Sequence, residues 1–471
     1  MEVGSSFCKD EGVEATFYDV AASRWLGSNV KVTAVSNKAE ERPYRPDPGS
    51  RGHIGWIVAG SLATGPVAAV LLVAAPFIPP TDAGVTGAVL CGLALGWAML
   101  AVLSVRFTDQ PQRWAAAPAL FMGLSGFLLM SFGSLVDEVL TWVWPPVLLA
   151  LVIWMFVCAR RQLRSPSRRW LLYPVLAVLA LASAGGGYQT VREAADARAH
   201  PPPGQLIDVG GHRLHLSCSG SGSPTVVLEP GAGMDSPDLG LITPAVARGT
   251  RVCVYDRAGR GWSEPANTTQ DATQIATDLH TLLHRGHVPG PYVLAGHSFG
   301  GLYTLTFAAR YSDEVAGMVL VDSTAPASTA KPRATPPGDG GSYDLSGRVS
   351  ALLSTSARLG LGRLIGQPTP SALRSTIDEY AQGNSSVAQA ASLRDFADKP
   401  LIVLTAGIPS DDANWPAKQD ALATLSTNSV HRVIEGADHG GMIVDEKGAA
   451  ATTRAILDVV SSVQSARPLA R

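Results

Sequence analysis

Ser298 stands in Gly296-His297-Ser298-Phe299-Gly300, directly behind the apolar run Tyr292-Val293-Leu294-Ala295 and ahead of a helix-like stretch. A serine so placed reads as a nucleophile elbow, a strained strand-to-helix turn in which flanking glycines leave room for the backbone and the hydroxyl is pushed outward. The chemistry this offers is attack on a carbonyl carbon. A hydroxyl is a poor nucleophile at neutral pH, so the reading requires a base to take its proton and a third group to orient that base. In a chain with 48 glycines the pentapeptide alone says little, and its weight comes from its setting.

That setting is an alternation of short strand-like and helix-like runs from about residue 205 onward, the pattern of a mostly parallel α/β sheet. Strands are expected at 207–209, 213–218, 225–228, 251–255, 292–295, 317–321, 401–405 and 430–434, the first two joined by a hairpin at Gly210-Gly211-His212. Helices are expected at 271–284, 302–311 and about 448–464.

The amino-terminal half is built differently. Apolar stretches at 54–78, 83–105, 114–136, 142–158 and 170–187 are each about long enough to cross a bilayer, which takes roughly 20 helical residues. No polar face at helical spacing interrupts them, which argues against buried helices of a soluble body. Loop charge supports five crossings. Arg42, Arg45 and Arg51 precede the first; Pro79-Pro80-Thr81-Asp82 carries no Lys or Arg; Arg106 and Arg113 follow; then Asp137 and Glu138 only; then Arg160, Arg161, Arg164, Arg168 and Arg169. The positive-inside rule puts the amino terminus in the cytoplasm and everything after about Tyr188 outside, in the plasma membrane of a bacterial type of cell. The expected layout is therefore a disordered cytoplasmic tail over 1–53, a transmembrane domain over 54–187, a linker over 188–204 and a catalytic domain over 205–471. The spans hold almost nothing ionisable, so they are read as an anchor rather than an ion path or transporter. A net charge of −2 without a basic stripe argues against nucleic acid, and the five cysteines lack the paired spacings of a zinc site.

Three motifs in order resemble the α/β-hydrolase superfamily, over roughly residue 205 to the end. Leu228-Glu229-Pro230-Gly231-Ala232-Gly233 stands where that superfamily opens its oxyanion loop, with Pro230 in place of a common histidine. Asp256-Arg257-Ala258-Gly259-Arg260-Gly261-Trp262-Ser263 matches its D-x-x-G-x-G-x-S turn, and the elbow extends through Gly301. The resemblance implies an eight-stranded α/β-hydrolase fold behind an all-α membrane domain. It also implies the chain order nucleophile, acid, histidine. His439, in Gly436-Ala437-Asp438-His439-Gly440-Gly441, matches the catalytic histidine loop; His431 lies inside a strand-like run and reads as a packing residue. For the acid two positions stay open: Asp322, behind Val319-Leu320-Val321, which is favoured, and Asp411 or Asp412 in the loop after the seventh strand. The backbone N–H groups of Ala232 and Phe299 are the expected oxyanion donors.

An aspartate in the elbow would have indicated an epoxide hydrolase or dehalogenase. Serine points to an ester, thioester, amide or lactone, with no metal or organic cofactor. A long insertion at 324–399 falls at the superfamily's lid site: its part 331–343 is rich in Pro and Gly, and 351–365 is apolar enough to pack over a pocket or rest on a membrane. In this fold Cys218 ends one strand and Cys253 begins its antiparallel neighbour, so either a disulfide or two small buried thiols is expected. The sequence thus reads as a membrane-anchored, lipase-like serine esterase acting on a small apolar or lipid-like acyl substrate. The alternatives are an acyltransferase or perhydrolase on the same fold, or a non-catalytic binding module.

Overall fold

A computed structural model describes residues 53–163, 166–266, 268–326, 345–359, 361, 369–410 and 412–470. The expected tail, the Pro/Gly-rich part of the insertion and Asp411 lie outside the described residues.

Among the described residues, five helices are long and apolar enough to cross a membrane: α1 (His53–Val73), α2 (Asp82–Phe107), α3 (Ala116–Phe132), α4 (Ser134–Gln162) and α5 (Pro166–Ala199). Helical pairing satisfies most of their backbone, the condition for entering hydrocarbon, although Pro66, Pro145, Pro146 and Pro174 lie inside them. Large apolar side chains such as Trp56, Val70, Leu120, Phe127, Ile153 and Leu181 point outward from the bundle, a surface suited to lipid. The helices approach through small residues: a Cβ on Gly92 would stand 2.2 Å from the backbone of Ala69, and one on Gly96 would stand 2.7 Å from the Ser61 carbonyl. Three boundaries differ most from the sequence reading. Helix α4 begins at Ser134 and not near 142, because Gly133 at φ 54° turns the chain directly into it, so Asp137 and Glu138 lie within the helix and not in a connection. The first helix stops at Val73, ahead of Pro76 and the Pro79-Pro80 pair. The last runs on to Ala199 through most of the expected 188–204 linker, because nothing between Gly187 and the Pro201-Pro202-Pro203 run breaks a helix and its alanines favour one.

The second half is one eight-stranded sheet, β1 (Gln205–Asp208), β2 (Arg213–Ser219), β3 (Thr225–Glu229), β4 (Val252–Tyr255), β5 (Tyr292–His297), β6 (Val315–Val321), β7 (Leu401–Ala406) and β8 (Ser429–Ile434), in the order 1-2-4-3-5-6-7-8. The β1–β2 and β2–β4 pairs are antiparallel and every other pair is parallel. β3, β4 and β5 are buried along their whole length, as central parallel strands covered on both faces must be. The helices of this half in chain order are α6 (Thr243–Ala247), α7 (Ala272–Arg285), α8 (Phe299–Arg310), α9 (Leu345–Ala357), α10 (Pro370–Ala381), α11 (Gly383–Ala390), α12 (Trp415–Ala423), α13 (Gly441–Val444) and α14 (Glu446–Ser465). One apolar core joins one sheet face to α7 and α8; the other joins the opposite face to α6, α13 and α14. Helices α9 to α11 belong to the insertion between β6 and β7.

Cys218 and Cys253 face each other in the β2–β4 register and are joined as a disulfide. Alkylation under denaturing, non-reducing conditions is expected to spare these two thiols, and reduction to release both. Closing a loop of 35 residues, the bridge is expected to stabilise this half by about 3–4 kcal/mol, so the Cys218→Ser, Cys253→Ser double variant should unfold at clearly lower denaturant. An unchanged midpoint would count against the bridge.

Candidate active site

β5 ends at His297, α8 begins at Phe299, and the single residue between them, Ser298, has φ 55° and ψ −123°. This positive φ is a strained conformation for a residue with a Cβ. The glycines around it are required by space: a Cβ on Gly296 would meet Thr304 Oγ1 at 2.5 Å, one on Gly300 would meet the Glu229 carbonyl at 2.3 Å, and one on Gly301 would meet Ser323 at 2.4 Å.

Three of the expected side chains come together. His439, in the loop after β8, has Nε2 2.9 Å from Ser298 Oγ and Nδ1 2.6 Å from Asp322 Oδ2. Asp322 directly follows β6 and is buried, and its other oxygen accepts from Trp415 Nε1 at 2.8 Å and the Ala406 N–H at 3.1 Å. Burial pushes the Asp322 carboxyl up, but the bonds from His439, Trp415 and Ala406 outweigh it and hold the group below its ordinary value. Ionised, Asp322 only accepts, so Nδ1 of His439 carries the proton and Nε2 is left to accept from the serine hydroxyl. The arrangement can therefore withdraw a proton from Ser298.

The other expected acid is elsewhere. Asp412 accepts from Lys418 Nζ at 2.6 Å and the Asn414 N–H at 2.9 Å. His431 sits in β8 between Thr405 and Asp420. Gly231 lies against the elbow, since a Cβ there would stand 2.9 Å from His297 Nδ1 and 3.2 Å from the Ser298 Cβ. The loop carrying Ala232 is thereby beside the nucleophile, and Phe299 opens the positive end of α8.

Several neighbours of this site had no assigned role in the sequence reading. Trp415 orients Asp322 and stands edge-on to His439, with ring centroids 6.2 Å apart. His297 is buried, with Nε2 2.9 Å from the His439 carbonyl; burial, and then the nearby His439, drive its imidazole down to about 4, so it is neutral at pH 7. Arg257, from the D-x-x-G-x-G-x-S turn, holds the oxyanion-type loop from below. It donates to Glu229 Oε1 at 2.8 Å, the Pro230 carbonyl at 2.8 Å, the Gly231 carbonyl at 2.7 Å and Glu379 Oε1 of α10 at 2.7 Å. Glu379 in turn accepts from the Gly233 N–H at 2.9 Å, and Arg260 donates to the Gly233 carbonyl at 2.7 Å. Burial raises the Glu229 carboxyl against the pull of Arg257, whereas for Glu379 the two guanidinium groups outweigh burial and hold it low. Pro230, which departs from the familiar histidine, thus sits in a loop fixed through its carbonyls. Arg257→Met would leave the buried Glu229 without its guanidinium and Glu379 with Arg260 alone, which is expected to destabilise by about 3–5 kcal/mol; a thermal melt that does not move would contradict this.

Apart from this site, His280, His284 and Glu314 bring one potential ligand atom each within 4.8 Å of one another. They could hold a cation, but Glu314 precedes β6 whereas Ser298 follows β5, so the trio lies at the opposite end of the parallel strands.

A sheet of this order, with an elbow after β5 and a histidine loop after β8, defines an α/β-hydrolase. Residues 226–453 match the model of the alpha/beta hydrolase family, in keeping with the fold of this half of the chain. An uncharacterised protein of Schizosaccharomyces pombe is 29% identical over 297 residues, covering 52% of this chain and 54% of that protein. An uncharacterised protein of Bacillus subtilis is 26% identical over 121 residues, covering 25% of this chain and 37% of that protein. The chain thus spans about half or less of the length of these curated relatives. Among solved structures, a thermophilic esterase from Thermogutta terrifontis superposes with TM-score 0.40 at 21% identity, covering 55% of this chain and 97% of that one.

Proposed function

We propose that this chain is a membrane-anchored serine hydrolase that cleaves an ester-type acyl substrate through a covalent acyl-enzyme. The observation that carries the reading is the unbroken line Ser298 Oγ to His439 Nε2 at 2.9 Å and His439 Nδ1 to Asp322 Oδ2 at 2.6 Å. In this reading His439 takes the hydroxyl proton as Ser298 Oγ bonds to the acyl carbon. The carbonyl oxygen gains charge, which the N–H groups of Phe299 and Ala232 meet, and the ester C–O bond breaks as His439 returns the proton to the departing alcohol. Water then repeats the sequence on the acyl-serine, releasing a carboxylic acid. Asp322 orients His439 and stabilises its charged form. The five apolar helices hold the hydrolase half at a bilayer, with the amino terminus in the cytoplasm and this half outside, the side on which a Cys218–Cys253 bridge persists.

Rapid-quench mass spectrometry with a slowly turned-over p-nitrophenyl ester tests the proposal. The expected result is one acyl group on the peptide containing Ser298, absent in Ser298→Ala; turnover with the acyl group on another residue would contradict it.

A further inference from the structure

The insertion between β6 and β7 is fastened to the outward ends of the membrane helices. Arg374 of α10 donates to Asp82, the first residue of α2, and to the Pro80 carbonyl at 2.9 Å. Arg358, just past α9, makes two bonds of 3.1 and 2.9 Å to Asp137 of α4. Ser354 donates to Asp82 at 3.0 Å, and Arg348 donates to the Val73 carbonyl and, at 2.7 Å, the Ile78 carbonyl. Asp82 and Asp137 lie in the first turns of α2 and α4, so the insertion's arginines complement acidic residues at these helix starts.

Helix α9 goes deeper than these helix starts. Thr355 is hydrogen bonded to Thr86 at 2.8 Å, and Thr86 lies about 6 Å along α2 from Asp82. The side of α9 turned away from α2 carries Val349, Leu352 and Leu353, at i, i+3 and i+4, between 43 and 47% exposed. An apolar stripe at the depth of the first turns of a membrane helix is the face of an interfacial helix. From Arg374 to Tyr380 is about 9 Å along α10, and the Tyr380 ring centroid is 5.4 Å from that of Phe299, the residue after Ser298. The residue that meets Asp82 and the nucleophile are thus linked by less than two turns of α10 and one aromatic contact.

We propose that the substrate is a long-chain acyl ester of a bilayer lipid, drawn from the outer leaflet along α9 and α10, with the Arg374–Asp82 and Arg358–Asp137 pairs holding these helices against the membrane. A lipid whose ester reaches Ser298 withdraws acyl chain from hydrocarbon, and the apolar stripe of α9 covers part of that chain on the way. A diffusible soluble ester needs neither the apolar stripe nor the clamp. The inference rests on the serine-hydrolase reading and narrows its substrate.

The test uses the full chain in phosphatidylglycerol–phosphatidylcholine vesicles carrying a self-quenched diacyl phospholipid, with soluble p-nitrophenyl butyrate assayed in parallel. Wild type is expected to cleave both. In the Arg358→Ala, Arg374→Ala double variant lipid cleavage should fall by about tenfold or more, since small misplacements can cost about a hundredfold, while butyrate cleavage stays within about twofold. Leu352→Glu with Leu353→Glu should give the same split without touching the ion pairs. Wild type that cleaves butyrate but not the vesicle lipid, or variants that lose both rates equally, would overturn the proposal. Wild type that cleaves neither, and takes no acyl group on Ser298, would remove the serine-hydrolase reading beneath it.

Discussion

Ser298→Ala is expected to lower hydrolysis of any ester the wild-type protein turns over by about ten-thousandfold or more, leaving only the modest acceleration that binding and backbone donors supply. The size follows from geometry. With its hydroxyl 2.9 Å from a base that is itself held 2.6 Å from a carboxylate, Ser298 is the group on which the whole arrangement converges. Alanine also carries a Cβ and faces the same strain at φ 55°, so the fold should survive and the melting temperature should change little. Initial rates on p-nitrophenyl esters, with melting followed in parallel, check the expectation. A folded variant retaining more than about a hundredth of the activity would show that the chemistry runs elsewhere.

Asp322→Asn should be nearly as damaging, by about a thousandfold to ten-thousandfold in kcat, while Asp412→Asn should change the rate by no more than about twofold. An asparagine amide that donates toward His439 would drive Nδ1 to accept, placing the proton on Nε2, where it faces Ser298 and cannot take the hydroxyl proton. KM should move far less than kcat, because Asp322 touches the base and not the bound acyl group. Asp412 is engaged with Lys418 and Asn414. Equal losses in the two variants, or a larger loss at Asp412, would reverse the assignment.

Much of this was legible in the chain because local patterns carried it. The strand runs from β3 to β7 are short and apolar, and the elbow, the Asp256 turn and the His439 loop fall at strand ends where the fold turns. Asp322 could be proposed from its place behind Val321. The supporting contacts were hidden for a physical reason: Trp415 meets Asp322 across 93 residues, and Arg257 meets Glu379 across 122. No periodicity encodes such pairs; only the assembled sheet and the folded insertion create them. The arginines at 358 and 374 likewise gain meaning only when they meet Asp137 and Asp82, although the acidic residues themselves were visible in the sequence. The carboxy-terminal extension of α5 was missed because hydropathy marks where a membrane helix leaves hydrocarbon, not where it stops being a helix.

Fluorophosphonate labelling of the full chain in sealed membrane vesicles of known orientation addresses the central claim most directly. A single adduct on the Ser298 peptide is expected, lost in Ser298→Ala and formed by a membrane-impermeant probe only from the side that corresponds to the cell exterior. An unlabelled wild type beside a labelled soluble esterase, or labelling that persists in Ser298→Ala, would contradict it.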